Sequence, residues 1–309
     1  MDKFTLPSSK NNYKTEWPWV SKIAQKPYKN IIELPKISIT TPSFNQGEFI
    51  EETFRSVLLQ NYPDLEYIIV DGGSKDNTSE IINFYSNYFA FHVIENDNGQ
   101  SQAINKGLEK SNGTIFGWLN SDDILEQNSL FEIADYFTKN PDCDVLVGAC
   151  GYLDKDSIPF DHKKAPKNID LKEILYRFKA LPQPSVYWRG VLNKKLGYLK
   201  ENLHYAMDTE LFLRFFLGGA RFHFLPEKVI AYERLHVGQK SRNKFEAQKE
   251  KALISKKIFK ESASMKKFSL AKMILYNRYH ILKRHGMRAI INGFPNGQEY
   301  AILKAYFFK

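Results

Sequence analysis

Cysteine is scarce in this sequence, which has only Cys143 and Cys150 among 309 residues. Two cysteines are too few for a disulfide framework, and their spacing does not match that of a zinc site, so we expect a reducing compartment. Residues 1–14 are polar and lack the apolar core of a secretory signal. No apolar run reaches the roughly 18–20 residues of a membrane span. We therefore expect no transmembrane helix and a cytoplasmic location.

Two familiar phosphate-binding signatures are also missing. The sequence contains no Gly-x-x-x-x-Gly-Lys-Ser/Thr loop, and no Gly-x-Gly-x-x-Gly follows the first predicted strand. This disfavours a P-loop kinase and a dinucleotide-dependent dehydrogenase. A diphosphate bound by this chain would need a metal ion instead.

Apolar strands and amphipathic helices alternate regularly in the first half of the chain, which indicates an α/β fold. Apolar residues make up 43% of the sequence, as expected for a globular protein. The interval of roughly 30 residues between strands is typical of βαβ units and predicts a parallel sheet. The predicted strands are 37–40, 67–70, 91–94, 115–119, 145–147, 183–188, 221–225 and 229–232. The predicted helices are 49–58, 80–88, 102–110, 129–138, 171–178 and 208–217, with residues 154–168 as a polar connection.

Carboxylates follow the predicted strands where each strand ends. Asp71 follows the second strand, Asp122 and Asp123 follow the fourth, and Asp97 lies on the loop between them. Because parallel strands end at one edge of a sheet, these side chains would form one acidic crevice despite a net charge of +9. Hard divalent cations prefer such oxygen ligands and bind phosphates at the same time. The alternative is that each aspartate only caps a turn or a helix.

Five segments lie in order within residues 36–240. They are Thr41-Pro42-Ser43-Phe44-Asn45-Gln46-Gly47, Val70-Asp71-Gly72-Gly73-Ser74-Lys75-Asp76-Asn77-Thr78, Asp97-Asn98-Gly99-Gln100-Ser101, Ala103-Ile104-Asn105-Lys106-Gly107 and Trp118-Leu119-Asn120-Ser121-Asp122-Asp123. Together they resemble glycosyltransferase family 2, the inverting, nucleotide-sugar-dependent enzymes of GT-A fold. The resemblance implies a mostly parallel, Rossmann-like central sheet flanked by helices, with a helical C-terminal extension. The composition changes near residues 35 and 240, and the resemblance covers the part between them. We therefore expect an N-terminal strap (1–35), a catalytic domain (36–240, with a nucleotide half 36–125 and an acceptor half 126–240) and a basic extension (241–309).

The resemblance also implies a donor site. Asp71 would hydrogen-bond the base, commonly uracil, and Asp122 would bind Mn²⁺ or Mg²⁺. The family's Asp-x-Asp motif falls on Asn120-Ser121-Asp122, so a neutral Asn120 replaces the first aspartate and Asp123 becomes a supporting or helix-capping group. The implied nucleotide-site residues are Pro42, Ser43, Asn45, Asp71, Asp97, Gln100, Asn105, Lys106, Asn120 and Ser121.

The catalytic base of the family maps onto Tyr205-Ala206-Met207-Asp208. Met207 stands where the family has a glutamate, so Asp208 is the remaining carboxylate; its alternative role is an N-cap of the following helix. By the same resemblance His236 completes the metal shell, although a lone histidine is often structural. Residues 183–187 would border the acceptor, unless they are only a buried strand.

The function implied is an inverting hexosyl- or N-acetylhexosaminyl-transferase that uses a UDP-sugar. Its acceptor would be a glycan or a polyprenyl-linked saccharide in envelope polysaccharide synthesis. The alternative, motivated by Asn120, is a non-catalytic nucleotide-sugar or glycan-binding relative.

The segment after residue 245 is rich in lysine and arginine interleaved with apolar residues. Basic amphipathic helices can lie on anionic lipid, here the inner face of the membrane. A solvated appendage and a homodimer contact are alternatives. Nucleic-acid binding is disfavoured because no recognised binding module is present.

Overall fold

The computed structural model describes residue 6 and residues 17–19, 34–177, 179–240 and 243–261. The strands are β1 Ile37–Ser43, β2 Leu65–Asp71, β3 Phe91–Ile94, β4 Ile115–Trp118, β5 Ile124–Leu125, β6 Val145–Leu153, β7 Pro159–Lys163, β8 Val186–Arg189 and β9 Phe222–Arg234. The helices are α1 Ile50–Leu58, α2 Thr78–Tyr85, α3 Gln100–Lys110, α4 Ser129–Lys139, α5 Leu171–Arg177, α6 Val191–Leu196, α7 Met207–Leu217 and α8 Lys244–Glu261.

The described strands form one sheet in the order β3-β2-β1-β4-β8-β6-β9-β5, with β7 beside β6. The four strands from β3 to β4 are parallel, as the βαβ spacing predicted. Beyond them β8 runs antiparallel to both β4 and β6, whereas β6 and β9 are parallel. The predicted α/β architecture is confirmed, and the antiparallel β8 marks where the simple βαβ repeat ends.

The sheet separates two apolar cores because successive side chains of a strand point to opposite faces. In β4, Ile115 contributes to the core that contains α1, α2 and α4, whereas Phe116 and Trp118 contribute to the other. That second core contains residues of α3, α6 and α7. The helices therefore cover both faces, and the strands read as continuous apolar runs because each face is buried.

Glu66 of β2 connects the start of β1 to the loop that precedes β4. Its Oε2 accepts hydrogen bonds from Ser38 Oγ (2.5 Å) and Asn112 N (2.7 Å), and Lys36 Nζ lies 3.0 Å from Oε1. Burial raises the pKa of this carboxyl, but the hydrogen bonds from Ser38, Asn112 and Lys36 and the charge of Lys36 together outweigh it, so the pKa is lowered from its ordinary value. Glu66 is therefore held in its charged form.

Some predicted elements differ in the structure. The connection 154–168 contains strand β7, whose residues are mostly exposed and so lack the apolar signal of a buried strand. The two strands predicted at 221–225 and 229–232 are one continuous strand, β9, whose pairing with β6 shifts register between Leu225 and Val229. Helix α6 and the short strand β5 had no prediction.

The ends of the chain are described only in part. In the predicted strap, Trp17 Nε1 donates to Leu125 O at 2.8 Å, and the guanidinium of Arg55 lies 5.5 Å from the ring centre of Trp19. Strap residues 1–5, 7–16 and 20–33 and the basic segment 262–309 lie outside the described residues. Of the helices that are described, none combines the length and apolar composition needed to cross a bilayer.

Candidate functional site

A cleft of about 720 Å³ opens where β1 and β4 end. The parallel pairing of these strands brings their carboxyl ends side by side, as expected for a ligand site in an α/β sheet. Many of the residues singled out in the sequence line this cleft. They are Pro42, Ser43, Asp97, Gln100, Asn120, Ser121, Asp122, Asp123, Gln183 and Asp208.

Asp122 and His236 meet in the structure although they are far apart in sequence. Asp122 Oδ2 lies 3.0 Å from His236 Nε2, and both side chains are about seven-eighths buried, at 15% and 12% exposure. The antiparallel pairing of β5 with β9 produces this contact, because it aligns the residues just before Ile124 with those just after Tyr232. The predicted metal-binding pair is thus brought together.

This pair fits a divalent cation that takes its other ligands from outside the protein. Among the described residues there is no group of three or more histidine, cysteine, aspartate or glutamate side chains arranged for a metal. Mg²⁺ commonly binds through one or two carboxylates, with phosphates and water completing the shell. Asp122 with the imidazole of His236 supplies such a partial donor set at the cleft.

A fully buried arginine, Arg234, holds the turn that carries Asp122. Its backbone N–H donates to Asp123 Oδ1 at 3.0 Å, and its Nε donates to Asp122 O at 2.9 Å. The guanidinium also lies 3.2 Å from Glu52 Oε2 and 5.0 Å from the ring centre of Phe49. The ring of Phe49 in turn contacts His236, with 4.8 Å between ring centres. Arg234 thus contacts the backbone of Asp122 directly, and Phe49 lies between its guanidinium and His236.

Asp123 borders the cleft but is almost completely buried. It is 1% exposed, and its second oxygen, Oδ2, accepts a hydrogen bond from Asn120 Nδ2 at 3.0 Å. Burial, together with the nearby carboxylates of Asp122 and Glu233, raises its pKa well above the ordinary value. Asp123 thus links the side chain of Asn120 to the backbone of Arg234.

Asn120 is the centre of a small polar network. Its Oδ1 accepts from Gln100 Nε2 at 2.9 Å, and its Nδ2 donates to Asp123 and, at 3.3 Å, to Gln183 Oε1. Gln183 Nε2 continues the network to Trp118 O at 2.9 Å. An aspartate at position 120 has no N–H to donate, so the asparagine suits this network.

Two predicted nucleotide ligands, Asp71 and Asn45, hydrogen-bond to the loop after β2. Both oxygens of the fully buried Asp71 accept hydrogen bonds from the turn that follows: Oδ1 from the N–H groups of Gly73 and Ser74, and Oδ2 from Ser74 Oγ at 2.6 Å. Asn45 Oδ1 accepts from Lys75 N at 2.8 Å. These bonds tie the loops after β1 and β2 together and place both side chains outside the cleft lining.

Two further predicted ligands on α3 also lie outside the lining. Asn105 is buried, donates to Leu199 O at 3.0 Å and accepts from Leu199 N at 2.9 Å. Lys106 forms an ion pair with Glu95. Asn105 and Lys106 therefore join neighbouring segments, whereas Gln100 at the start of the same helix lines the cleft. Their predicted contacts with a nucleotide stay predictions.

Asp208 lies in the first turn of α7, one residue after its first residue, Met207. The N-cap position belongs to Ala206, so the alternative role of Asp208 as the N-cap is not what the structure shows. Its Oδ1 accepts a hydrogen bond from Thr209 N at 2.6 Å, and its side chain borders the cleft. This carboxylate is available to a molecule bound there.

Several cleft residues were missed in the sequence. Burial raises the pKa of Glu233 and lowers that of Lys163. The opposite charge of each residue partly offsets this effect on the other. Gln239 Nε2 donates to Glu233 Oε1 at 3.0 Å. The sequence did contain a signal for Glu233, because this carboxylate directly follows the apolar residues 229–232. Lys163 lies on the unpredicted strand β7, and Lys240 and Lys251 complete the missed cations of the lining.

Comparisons with known proteins agree with this architecture. The family model for glycosyl transferase family 2 matches residues 38–196, just over half of the chain. An uncharacterized glycosyltransferase of Rickettsia prowazekii is 28% identical over 218 residues, which cover 68% of this chain and 67% of that protein. The poly-beta-1,6-N-acetyl-D-glucosamine synthase of Staphylococcus epidermidis is 30% identical over 145 residues, covering 44% of this chain and 35% of the synthase. The chain thus matches about two thirds of the first relative and about a third of the second.

Solved structures share the fold. TarS of S. aureus (residues 1–349), solved with UDP-GlcNAc, superposes with a TM-score of 0.61 at 19% identity and covers 87% of this chain and 79% of that one. The mannosyltransferase PcManGT of Pyrobaculum calidifontis, solved with GDP-Man and Mn²⁺, gives 0.58 at 18% identity and covers 75% and 66%. At these identities the likeness concerns the fold alone. The family match and the architecture together show that this chain belongs to glycosyl transferase family 2.

Proposed function

We propose that the chain is an inverting glycosyltransferase that transfers a sugar from a nucleoside diphosphate sugar to a hydroxyl group of a glycan or lipid-linked acceptor. The observation that carries this proposal is that Asp122 and Asp208 line one cleft, with His236 in contact with Asp122. A UDP-sugar is the favoured donor, because a structural neighbour was solved with UDP-GlcNAc. An N-acetylhexosaminyl group is supported by the poly-N-acetylglucosamine synthases among the relatives.

A divalent cation, Mn²⁺ or Mg²⁺, is the proposed cofactor, held by Asp122 and His236. When bound, such an ion stabilises the negative charge of a leaving diphosphate. Arg234 fixes the backbone of Asp122, and Asp123 and Asn120 brace the same turn. These residues keep the two ligands in place before a donor arrives, so little reorganisation is needed on binding.

Asp208 is the proposed general base. In a single displacement, the acceptor oxygen forms a bond to the anomeric carbon of the sugar while the bond from that carbon to the diphosphate breaks. The electron pair leaves with the nucleoside diphosphate, and the hydroxyl proton passes to the Asp208 carboxylate. One displacement inverts the anomeric configuration. Gln183 and the neighbouring Pro184 line the same cleft and are proposed to border the acceptor.

Calorimetric titration with UDP, with and without Mn²⁺, tests the donor and metal assignments. We expect Mn²⁺ to strengthen UDP binding by at least about tenfold, within the usual range of coupling between two sites. Asp122→Asn should remove this enhancement. Asp135→Asn, which changes a partly exposed aspartate on α4 that does not line the cleft, is the matched control and should behave as the wild type. UDP binding that is indifferent to Mn²⁺ in the wild type would reject the metal assignment.

The second candidate function is a non-catalytic protein that binds nucleotide sugars or glycans. It is favoured by one observation: the neutral Asn120 occupies the first position of the motif, and its amide is engaged with Gln100, Asp123 and Gln183. Metal-dependent UDP binding without turnover of any donor would favour this candidate. A cytoplasmic location, attachment of the basic extension to anionic membrane, and homodimerisation remain predictions.

A further inference from the structure

Glu250 of α8 binds a distant backbone segment with both of its carboxylate oxygens. Oε1 accepts a hydrogen bond from His204 N at 2.8 Å, and Oε2 accepts from Tyr205 N at 2.7 Å and Ala206 N at 2.9 Å. The partners are 44 to 46 residues apart in sequence. A carboxylate that accepts three N–H groups makes strong, charge-assisted bonds, so this contact fixes the path of residues 204–206.

These three residues lead directly into α7. Ala206 is the N-cap of that helix, and the amides at a helix N-terminus have no partner within the helix. Glu250 provides the missing acceptor from another helix, and its negative charge lies at the positive end of the α7 dipole. Asp208 follows two residues after the last amide that Glu250 binds. The position of the proposed base therefore depends on where this carboxylate holds the chain.

The same segment forms part of the cleft wall. His204 and Tyr205 line the cleft, and so do Ala247 and Lys251 on α8. On the donor side, Ser101 Oγ of α3 donates to Leu203 O at 2.8 Å. Residues 203–206 are thus clamped between α3 and α8, and α8 completes the wall on the side of Asp208.

Helix α8 is packed against α5 and α7, so the position of Glu250 is fixed. Ala252 and Ile254 are buried in a small core with Leu175 of α5 and Leu213 of α7. Ser255 Oγ donates to Leu175 O at 2.9 Å in the same contact. A helix anchored one turn from Glu250 cannot move without disturbing this core.

We propose that Glu250 is a positioning residue for the transfer reaction, holding residues 204–206 so that Asp208 faces the acceptor hydroxyl. The inference rests on the proposed function for its catalytic part. Helix α8, which lies beyond the domain boundary predicted at residue 240, is then a part of the catalytic unit. Truncation of the chain at residue 240 would remove the carboxylate that orders the start of α7.

Glu250→Ala in the full chain tests this inference by two independent readouts. Hydrogen–deuterium exchange of a peptide spanning residues 203–206 should become at least about tenfold faster, because the amides lose their acceptor and open locally. With an active donor, kcat should fall about 10- to 100-fold, since small misplacements of a reacting group have effects of this size. KM for the donor should change less than about twofold, because the donor-side residues stay in place. Glu250→Gln, which keeps one acceptor oxygen, should give intermediate values in both readouts.

Glu246→Gln is the matched control, because it removes one negative charge from the same helix at a residue paired with Lys249. It should leave both readouts unchanged. Unchanged exchange in Glu250→Ala, or a kcat within about twofold of the wild type, would overturn the inference. If Glu250→Ala does not fold, Glu250→Gln decides in the same way. A wild type that turns over no donor would refute the proposed function, whereas the exchange data would still decide whether Glu250 orders the segment.

Discussion

Replacing Arg234 by methionine should strongly destabilise the protein. The guanidinium is fully buried, lies 3.2 Å from Glu52 Oε2 and donates to Asp122 O and to Ser157 Oγ at 2.8 Å. Methionine keeps much of the apolar contact with Phe49 but removes the charge and all five donors. The carboxylate of Glu52, itself 3% exposed, would lose this ion pair and keep the hydrogen bond from Ser157 Oγ at 2.8 Å.

The size of the effect follows from this burial. Removing one partner of a buried ion pair costs about 3–5 kcal/mol, because an uncompensated charge is left in the interior. Glu52→Gln in the Arg234→Met background removes that charge. The double variant should therefore be more stable than the sum of the two single effects implies, by about 1–3 kcal/mol.

Urea unfolding followed by tryptophan fluorescence measures these free energies, since Trp118 and Trp188 are buried in the second core. The control is Lys139→Met, which breaks an exposed ion pair with Asp135 and should cost at most about 0.5 kcal/mol. An Arg234→Met variant that loses no more stability than this control would refute the reasoning. Strict additivity of Arg234→Met and Glu52→Gln would refute it as well.

Three further substitutions give distinct expectations. Asn120→Asp should lower the free energy of unfolding by about 1–3 kcal/mol, measured in urea, because Asp123 and Gln183 lose a donor and face an added carboxylate. Glu66→Gln should cost about 1–2 kcal/mol at pH 7. The pKa of Glu66 is lowered in the folded state, so this stabilisation is present above the unfolded pKa of about 4.3 and is lost as the pH falls through the lower folded value. The difference between wild type and Glu66→Gln in unfolding midpoint should therefore shrink in the acid range. Gly107→Ala would place a methyl group 2.3 Å from Thr40 Cγ2 and should lower the thermal midpoint, at a cost of about 1–3 kcal/mol.

The first half of the fold could be predicted because its signals are local. Strands β1, β2 and β4 are buried on both faces, β3 is partly buried, and all four alternate with amphipathic helices, so composition and period identify them. Strand β7 was missed because an exposed strand such as Pro159–Lys163 has no apolar run. Strand β9 was divided because Pro226 and Glu227 interrupt its apolar residues, although the chain stays extended there.

The candidate site was only partly predictable, for a related reason. A carboxylate after a strand is visible in the sequence, but whether it turns toward the cleft or toward its own loop is decided by neighbouring backbone amides. Asp71 bonds the turn at Gly73 and Ser74, whereas Asp122 meets His236 across the cleft edge. Glu250 bonds amides that are more than 40 residues away in the sequence, and no local sequence pattern predicts such a contact.

The activity claim is tested most directly by the release of nucleoside diphosphate from a panel of UDP- and GDP-sugars in the presence of Mn²⁺. The wild type should release UDP from at least one UDP-sugar. Asp208→Asn should lower this turnover about 10²- to 10⁴-fold, as loss of a general base does, while its UDP affinity stays within about twofold of the wild type. No release from any donor, or unchanged turnover in Asp208→Asn, would contradict the account.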